Sequence, residues 1–327
     1  MLIATYNCAA TIRQTLESVL RQSVSPHEIL VRDDGSTDNT LDILQSYVPR
    51  ITVARQENTG VATVRNRLCE RASGELLAFL DSDDLWHPSY LEVQSNIFEQ
   101  HPQAVGLFTD HLNFRGYGDY DWNPTSLDAR NIETISPLDF LRRYNQTTGQ
   151  FGSMSYCCVP RRLISELGSE PFRLSGVEDS YLCTQMPLYG PVMFAHTPLV
   201  VYRVTDESLS ANRLKTHASW VQVFELLQDR YEKEASRELR ITFRSAFAAN
   251  RRAYAKRLMG ADKTKEAREQ LWRSIGNSFS PASISKSAAL FLLTYLPESL
   301  QPKWPTSQRE IKDVDFERGS QKISQSL

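Results

Sequence analysis

Long hydrophobic runs and paired cysteines are both scarce in this sequence of 327 residues. The longest apolar stretch, Ala288–Leu293, is far shorter than the ~20 residues that a membrane-spanning helix needs. The five cysteines are odd in number and have no Cys-x-x-Cys spacing, which argues against a disulfide framework and a structural zinc site. No signal peptide is visible at the N-terminus. These absences predict a cytoplasmic protein.

Excess charge of one sign and two nucleotide-binding signatures are missing as well. The formal net charge of -2 excludes a strong general attraction to nucleic acid or to an anionic membrane, although it allows a local basic patch. No Gly-x-Gly-x-x-Gly follows the first apolar run, where a nicotinamide-dependent Rossmann enzyme carries it. The Gly-Lys-Ser/Thr of a P-loop enzyme is also absent.

Short apolar runs alternate with helical patterns over the first hundred residues. The runs are Met1–Ala4, Ile29–Val31, Ile51–Ala54 and Leu76–Leu80. The first three are each followed by apolar residues with helical spacing, such as Ile12, Leu16 and Val19 after the first. This alternation predicts βαβ units, and therefore an α/β fold with a mostly parallel sheet flanked by helices. Ligands of such sheets bind beyond the carboxyl ends of the strands.

The alternation weakens after Val105–Thr109. The predicted elements of the next hundred residues are a surface loop at Tyr117–Trp122, a short helix from Ser136-Pro137 to about Tyr144, a strand at Ser153–Val159, and a hairpin or two edge strands at Val192–Ala195 and Leu199–Tyr202. We expect residues 1–212 to form one domain.

The remainder of the chain predicts helices and then a tail. Residues 213–300 have a helical pattern that breaks at Gly260-Ala261-Asp262 and again at Ser280-Pro281. Residues 301–327 are polar and predict a disordered tail. The apolar segment Ile284–Leu296 has two interpretations, which the sequence leaves open. It is either an interfacial helix that makes peripheral contact with the inner face of a membrane, or a helix packed on protein, including a second subunit of a homo-oligomer.

Asp81-Ser82-Asp83-Asp84 follows directly on the apolar run Leu76–Leu80, as at the carboxyl end of a buried strand. In an extended chain Asp81 and Asp83 point to the same side, about 7 Å apart. Two carboxylates suit Mg²⁺ or Mn²⁺ shared with a phosphorylated substrate. The alternative is that Asp84 caps a helix starting near Pro88. Three acids in four positions repel one another unless a cation compensates, so we favour the metal.

Several motifs now stand in a fixed order along the chain. They are Thr5-Tyr6-Asn7, Asp33-Asp34-Gly35-Ser36-Thr37-Asp38, Asn58-Thr59-Gly60 before a helix with Arg65-Asn66, Gly74-Glu75, Asp81-Ser82-Asp83-Asp84 and Glu178-Asp179. This series resembles the family 2 glycosyltransferases with the GT-A fold, over roughly residues 1–210. The two Asp-rich elements are specific together, whereas either alone is a weak signal.

The resemblance implies a Rossmann-like GT-A domain, with nucleotide binding over about 1–110 and acceptor binding over about 111–212. It also implies metal-dependent, inverting transfer of a sugar from a nucleotide diphosphate donor to a hydroxyl of a glycan or lipid-linked acceptor, as in bacterial surface polysaccharide assembly. Processive members of the family carry transmembrane helices and a Gln-x-x-Arg-Trp element. This sequence has neither, which implies one sugar per acceptor. Ala4 stands where the family usually has proline.

The resemblance further implies a role for each matched residue. Tyr6 would lie against the base and Asp34 would hydrogen-bond it. Asp83 would bind Mn²⁺ or Mg²⁺ directly, with Asp81 as a second ligand or, with Ser82, positioning the ribose or a metal-bound water. Asp179 would be the general base and Glu178 its neighbour. The implied nucleotide-sugar-binding residues are Thr5, Tyr6, Asn7, Asp33, Asp34, Arg65, Asp81 and Ser82.

Taken singly, these motifs have structural explanations. The Asp33–Asp38 segment is equally a turn and an N-cap before a helix at Leu41. Arg65 is equally a solvent-facing helix charge, and Glu178-Asp179 are equally first-turn acids that complement a helix dipole. Two other functions also remain open at this point. One is a sugar-nucleotide-binding protein without transfer activity, and the other is a sugar-phosphate nucleotidyltransferase.

Overall fold

The computed structural model describes residues 1–116, 120, 131–144, 151–204, 213–278 and 280–296. The chain divides into two compact units, one of Met1–Asp206 with Lys233–Ala235 and one of Glu207–Glu232 with Ser236–Leu327. The predicted loop at Tyr117–Trp122, apart from Tyr120, and the predicted tail at 301–327 lie outside the described residues.

The first unit alternates strands and helices. Its strands are β1 Leu2–Thr5, β2 Leu30–Asp33, β3 Thr52–Arg55, β4 Leu76–Asp81, β5 Leu85–Trp86, β6 Gly106–Arg115, β7 Ile132–Ile135, β8 Cys157–Pro160 and β9 Val192–Val204. Its helices are α1 Ile12–Leu20, α2 Thr40–Gln45, α3 Val61–Arg71, α4 Tyr90–Gln100, α5 Pro137–Tyr144, α6 Arg161–Leu167 and α7 Glu178–Gln185.

These strands form one mixed sheet in the order β3-β2-β1-β4-β8-β6-β9-β5, with β7 also paired to β9. The pairs among β3, β2, β1 and β4 are parallel, as is β6 with β9, whereas β5, β7 and β8 run antiparallel to their neighbours. The register places Thr5 opposite Asp33, and Ala4 opposite Asp81. The polar ends of three parallel strands therefore meet at one edge of the sheet, and the predicted α/β fold is confirmed.

The core of this unit explains why the helices form where they do. Leu16 and Val19 of α1 and Val64 and Leu68 of α3 are buried, as their helical spacing predicts. Strand β4 is buried from Leu77 through Leu80, which a parallel strand covered on both faces requires.

Three of the predicted strands differ in detail from the structure. Val192–Ala195 and Leu199–Tyr202 belong to the single strand β9, in which the residues between them form an irregularity of the pairing with β6 instead of a turn. The predicted strand at Ser153–Val159 begins as a 3₁₀ turn at Met154–Tyr156, since the Ser153 side chain accepts a hydrogen bond from the backbone of Ser155. The sequence did not predict β5, β7 or α6.

The second unit is helical, as predicted. Its helices are α8 Arg213–Glu234, α9 Arg237–Gly260, α10 Thr264–Asn277 and α11 Pro281–Leu293. Aromatic pairs fill its interior, with the Tyr231 and Phe243 rings stacked at 4.0 Å. Within the described part of the chain, no helix combines the length and the apolar character needed to cross a bilayer.

Candidate active site

The loop after β1 is fastened to the loop after β2. Asn7 has a positive φ of 51°, and its backbone N–H donates to Ser36 Oγ at 2.9 Å. Its side-chain Oδ1 accepts from the Thr37 N–H at 2.8 Å. Asp33 is fully buried and accepts from the backbone N–H of Ser36. These bonds fix the two loops as one rigid rim beside Thr5.

Asp34 anchors the chain that leads into α3. Its Oδ1 accepts from Gln56 Nε2 at 2.8 Å and from the Thr59 N–H at 3.0 Å, and its Oδ2 accepts from the Gly60 N–H at 2.8 Å. Neither Asp33 nor Asp34 caps α2, where Asn39 is the N-cap and Asp38 bonds the Thr40 N–H. The N-cap interpretation is therefore wrong for Asp33 and Asp34, whereas Asp38 of the same motif does accept from the first N–H of α2. A carboxylate has about four acceptor positions, so Asp34 can still accept from a base.

Tyr6 is exposed, with 46% of its surface accessible. It follows β1 and lies on the same rim as Asn7. An aromatic ring that is half exposed beside the carboxyl ends of parallel strands offers a face on which a nucleobase can stack. The contact itself stays a prediction.

Arg65 joins the acids of β4 to those of α7. It is 5% exposed, so its interpretation as a solvent-facing charge is wrong. Its Nη2 lies 2.6 Å from Asp81 Oδ1 and its Nη1 lies 2.5 Å from Glu178 Oε1. Burial alone would lower the pKa of Arg65, but the charges of Asp81 and Glu178 raise it, so the guanidinium stays protonated. One buried cation thus holds together two acids that are 97 residues apart in the chain.

The other acids after β4 have different environments. Burial, and then the charge of Asp81, raises the pKa of Asp83 to about 6. Asp84 is fully buried and accepts from the Arg203 N–H at 2.8 Å. It does not cap a helix, because α4 begins at Tyr90 with Ser89 as its N-cap. Ser82 donates its hydroxyl to Cys8 Sγ at 2.9 Å, which ties the acidic turn to the loop after β1.

Glu178 and Asp179 open α7, but their side chains have different environments. Glu178 is buried, and its Oε2 accepts from the Gly176 N–H at 2.5 Å while Oε1 faces Arg65. Asp179 is partly exposed and its Oδ1 accepts from the Ser180 N–H at 2.6 Å. Burial, and then the charge of Glu178, raises the pKa of Asp179 to about 7, although Arg65 opposes this shift. Asp179 is thus the partly accessible carboxylate with the pKa of a general base.

Two contacts dock the segment before α7 onto α3. Asn66 donates its side-chain amide to the Phe172 carbonyl at 2.9 Å and accepts from the Phe172 N–H at 3.0 Å. Gly60, with φ of 90°, lets Ser175 approach so closely that a Cβ atom would lie 2.5 Å from Ser175 Oγ. A side chain at position 60 would therefore push away the segment that delivers Glu178 to Arg65.

Sequence reasoning missed the serines that support Asp81. Ser153 Oγ donates to Asp81 Oδ2 at 3.1 Å, and Ser155 Oγ accepts from the Asp81 N–H at 3.0 Å. It also missed an aromatic cluster in which the rings of His111 and Tyr156 stack at 4.6 Å, with Tyr202 edge-on to His111. Burial and the nearby acids, Asp84 first, raise the pKa of Tyr202, which places this cluster close to the acidic turn. No local pattern marked either group.

The residues present fit a divalent cation that a phosphorylated ligand helps to hold. Both oxygens of Asp81 already have protein partners, while Asp83 is a half-buried acid whose pKa is raised first by burial and then by the charge of Asp81. Among the described residues, no group of three or more His, Cys, Asp or Glu side chains forms a complete metal cage. Mg²⁺-type sites commonly use one or two carboxylates together with substrate phosphates, so a complete cage is not required.

Comparison with protein families identifies the chain. The model of glycosyl transferase family 2 matches residues 1–166, which is more than half of the sequence. The chain belongs to this family. It is 30% identical over 220 residues to EpsH of Bacillus subtilis (strain 168), a match that spans 64% of this chain and 61% of EpsH, less than two thirds of that relative. It is also 29% identical over 220 residues to the UDP-Glc:alpha-D-GlcNAc-diphosphoundecaprenol beta-1,3-glucosyltransferase WfgD of Escherichia coli, covering 66% of this chain and 80% of WfgD.

Solved structures match the GT-A fold of this chain. The structure of S. aureus TarS 1-349 in complex with UDP-GlcNAc matches with a TM-score of 0.67 and 17% identity, over 90% of this chain and 88% of that one. The mannosyltransferase PcManGT from Pyrobaculum calidifontis, in complex with GDP-Man and Mn²⁺, matches with a TM-score of 0.53 and 21% identity, over 89% of this chain and 79% of that one. The predicted family and the predicted GT-A fold are confirmed.

Replacing Arg65 with leucine is expected to destabilise the protein by about 3–5 kcal/mol, because it leaves the buried Glu178 and the partly buried Asp81 without their cation. The free energy of unfolding measured in urea checks this value. Arg67→Leu is the matched control, since Arg67 lies on the same helix but is exposed, and should change stability by no more than about 0.5 kcal/mol. Equal losses in both variants would contradict the structural role of the Arg65 pairs.

Proposed function

We propose that the protein transfers a single sugar from a nucleotide diphosphate donor to a hydroxyl of a glycan or lipid-linked acceptor, with inversion at the anomeric carbon. The observation that carries this proposal is the chain of contacts from Asp81 through Arg65 to Glu178. It couples the acids at the end of β4 with the carboxylate pair at the start of α7. The first group would stabilise the departing diphosphate, and the second would accept the proton of the attacking hydroxyl. The name of WfgD supports a lipid-linked acceptor.

The donor would lie over the carboxyl ends of β1, β2 and β4. Tyr6 would stack on the base, and Asp34 would use its remaining acceptor position to bind it. Thr5, Asn7 and Asp33 would shape the rim through the bonds that fix the two loops. The ligands in the complexes of TarS and PcManGT, UDP-GlcNAc and GDP-Man, support a nucleotide diphosphate sugar as the donor.

Asp83 would hold a Mn²⁺ or Mg²⁺ ion directly. A bound cation stabilises the negative charge that develops on the departing diphosphate. Asp81 would be the second acid of the site. Because Arg65 and Ser153 already bond its two oxygens, it would position the ribose or a coordinated water together with Ser82. The Mn²⁺ in the PcManGT complex supports this assignment.

Asp179 would accept the proton of the acceptor hydroxyl as that oxygen attacks the anomeric carbon from the side opposite the diphosphate. The bond to the diphosphate breaks in the same displacement, so no covalent sugar–enzyme intermediate forms. Glu178 would position Asp179 and Arg65 without touching the acceptor, since both of its oxygens have partners. Arg65 would hold the acids after β4 at a fixed distance from Glu178 and Asp179.

A thermal-shift panel of nucleotide diphosphates and their sugars, each with and without Mn²⁺ or Mg²⁺, tests the proposal. We expect one nucleotide series to raise the melting temperature in the presence of metal, because a ligand at about 100 times its Kd stabilises the native state by about 2.7 kcal/mol. Transfer is then measured by release of nucleotide diphosphate with acceptor analogues. Metal-dependent binding without turnover on any acceptor would instead indicate a binding protein, and pyrophosphate release from a nucleoside triphosphate would indicate a nucleotidyltransferase.

A further inference from the structure

The charge of this protein is strongly divided along the chain. Residues 213–296 contain sixteen Lys and Arg and eight Asp and Glu, a formal charge of +8. Residues 1–212 contain sixteen Lys and Arg and twenty-six Asp and Glu, a formal charge of -10. The overall value of -2 conceals this division. The helical unit is therefore attracted to anionic surfaces even though the whole chain is nearly neutral.

The last helix of this unit buries a serine and leaves a leucine exposed. Its one fully buried residue within Pro281–Leu293 is Ser287, whose hydroxyl pairs with that of Ser274 at 2.9 Å and accepts from Arg252. In contrast, 67% of the Leu292 surface is exposed. Leu290 and Phe291 of this helix pack against the core of the unit, whereas Leu292 faces outward and gains nothing from its contact with water.

Exposed aromatic residues of α10 and of the turn after α11 lie near one another. Trp272 is 66% exposed and Tyr295 is 61% exposed. Phe291 connects them, with its ring centroid 6.0 Å from that of Trp272 and 5.5 Å from that of Tyr295. Leu292 adjoins Phe291 in the chain. We call Trp272, Phe291, Leu292 and Tyr295 the aromatic patch.

Cations border this patch on its own elements. The Arg268 guanidinium lies 4.0 Å from the centre of the Tyr295 ring, and it also donates to the Thr294 carbonyl. Lys265 is exposed and lies two helical turns before Trp272, which puts it on the same face of α10. Tryptophan and tyrosine next to Lys and Arg are the residues that proteins place at the boundary between lipid acyl chains and headgroups.

We infer that the aromatic patch docks on a lipid surface with anionic headgroups. A second copy that presents the same surface is a poorer occupant, because residues 213–296 of both copies carry a formal charge of +8 and repel each other. An anionic bilayer supplies both an apolar layer for Trp272 and Leu292 and a negative potential for the surrounding cations. This inference does not depend on the proposed transfer reaction, because membrane binding is measured without donor or acceptor.

Vesicle flotation of the full chain tests the inference. We expect binding to vesicles of phosphatidylcholine with about one third phosphatidylglycerol, weaker binding at high salt, and little binding to phosphatidylcholine alone. The double variant Trp272→Ser with Leu292→Ser should bind the anionic vesicles at least about tenfold more weakly, because two apolar anchors are lost. Lys265→Glu should weaken binding about tenfold to anionic vesicles only.

The matched control is Val24→Ser, which makes the same kind of change at a residue that is 43% exposed on the other unit. It should bind as the unmodified protein does, and circular dichroism should show that all variants keep their helices. Absence of vesicle binding by the full chain would overturn the inference. Equal binding by the double variant would also overturn it, as would a dimer in analytical ultracentrifugation that the double variant abolishes.

Discussion

Replacing Asp83 with asparagine is expected to abolish metal-dependent donor binding while the protein remains folded. Asparagine keeps the size of the side chain but removes the charge that a divalent cation needs. Asp83 follows the end of β4 and is not part of the apolar core, so its loss leaves no cavity. Because burial and the charge of Asp81 already disfavour ionised Asp83, the substitution should not lower the melting temperature of the free protein.

Isothermal titration of the nucleotide diphosphate chosen by the thermal-shift panel, with and without Mn²⁺, measures this effect. The unmodified protein should bind more tightly with the metal, and the Asp83→Asn variant should show the same weak affinity in both conditions. Asp110→Asn is the matched control, since burial also raises the pKa of that carboxyl but it lies on β6. Metal-dependent binding that persists in Asp83→Asn would remove Asp83 from the metal site.

The sequence predicted the parts of the site that depend on neighbours in the chain. The apolar run Leu76–Leu80 followed by acids placed Asp81 correctly at the end of a buried strand. The helical spacing of the apolar residues around Leu16, and of those around Val64, likewise predicted the two helices α1 and α3. Such features can be predicted because a buried strand and an amphipathic helix each depend on the pattern of apolar residues within one short segment.

The rest of the site depends on contacts between distant residues, which local patterns do not record. Arg65 looks like any charged residue of an amphipathic helix, and its burial depends on Glu178, which lies 113 positions later. Ser153 supports Asp81 across a separation of 72 residues. The charge division is a property of the sequence alone, but the overall value of -2 does not reveal it because the charges of the two parts nearly cancel.

The geometry also distinguishes the two acids at the start of α7. Glu178 faces a buried cation and a backbone N–H, so its proton-accepting oxygens are occupied. Asp179 is partly exposed and has a pKa of about 7, near the value at which a base is both deprotonated and able to accept a proton. Glu178, which is paired with Arg65, thus helps to set the pKa of the partly accessible Asp179.

Replacing Asp179 with asparagine should therefore lower kcat by about 10²–10⁴-fold while donor affinity is unchanged. Asparagine Oδ1 can still accept from the Ser180 N–H, so the start of α7 should keep its geometry. In the unmodified enzyme, kcat should fall as the pH drops below about 7, because protonated Asp179 cannot accept a proton. Transfer rates across this pH range, with separately titrated donor affinity, check both statements.

Glu178→Gln supplies the decisive comparison. It removes the charge that, after burial, contributes most to the raised pKa of Asp179. The variant should keep substantial turnover above pH 7, and the acidic limb of its pH profile should move to lower pH. If Glu178→Gln were inactive and Asp179→Asn nearly normal, the general base would be Glu178. If both kept normal turnover, neither acid would accept the proton of the acceptor, and the base would have to be sought among other groups near the acidic turn.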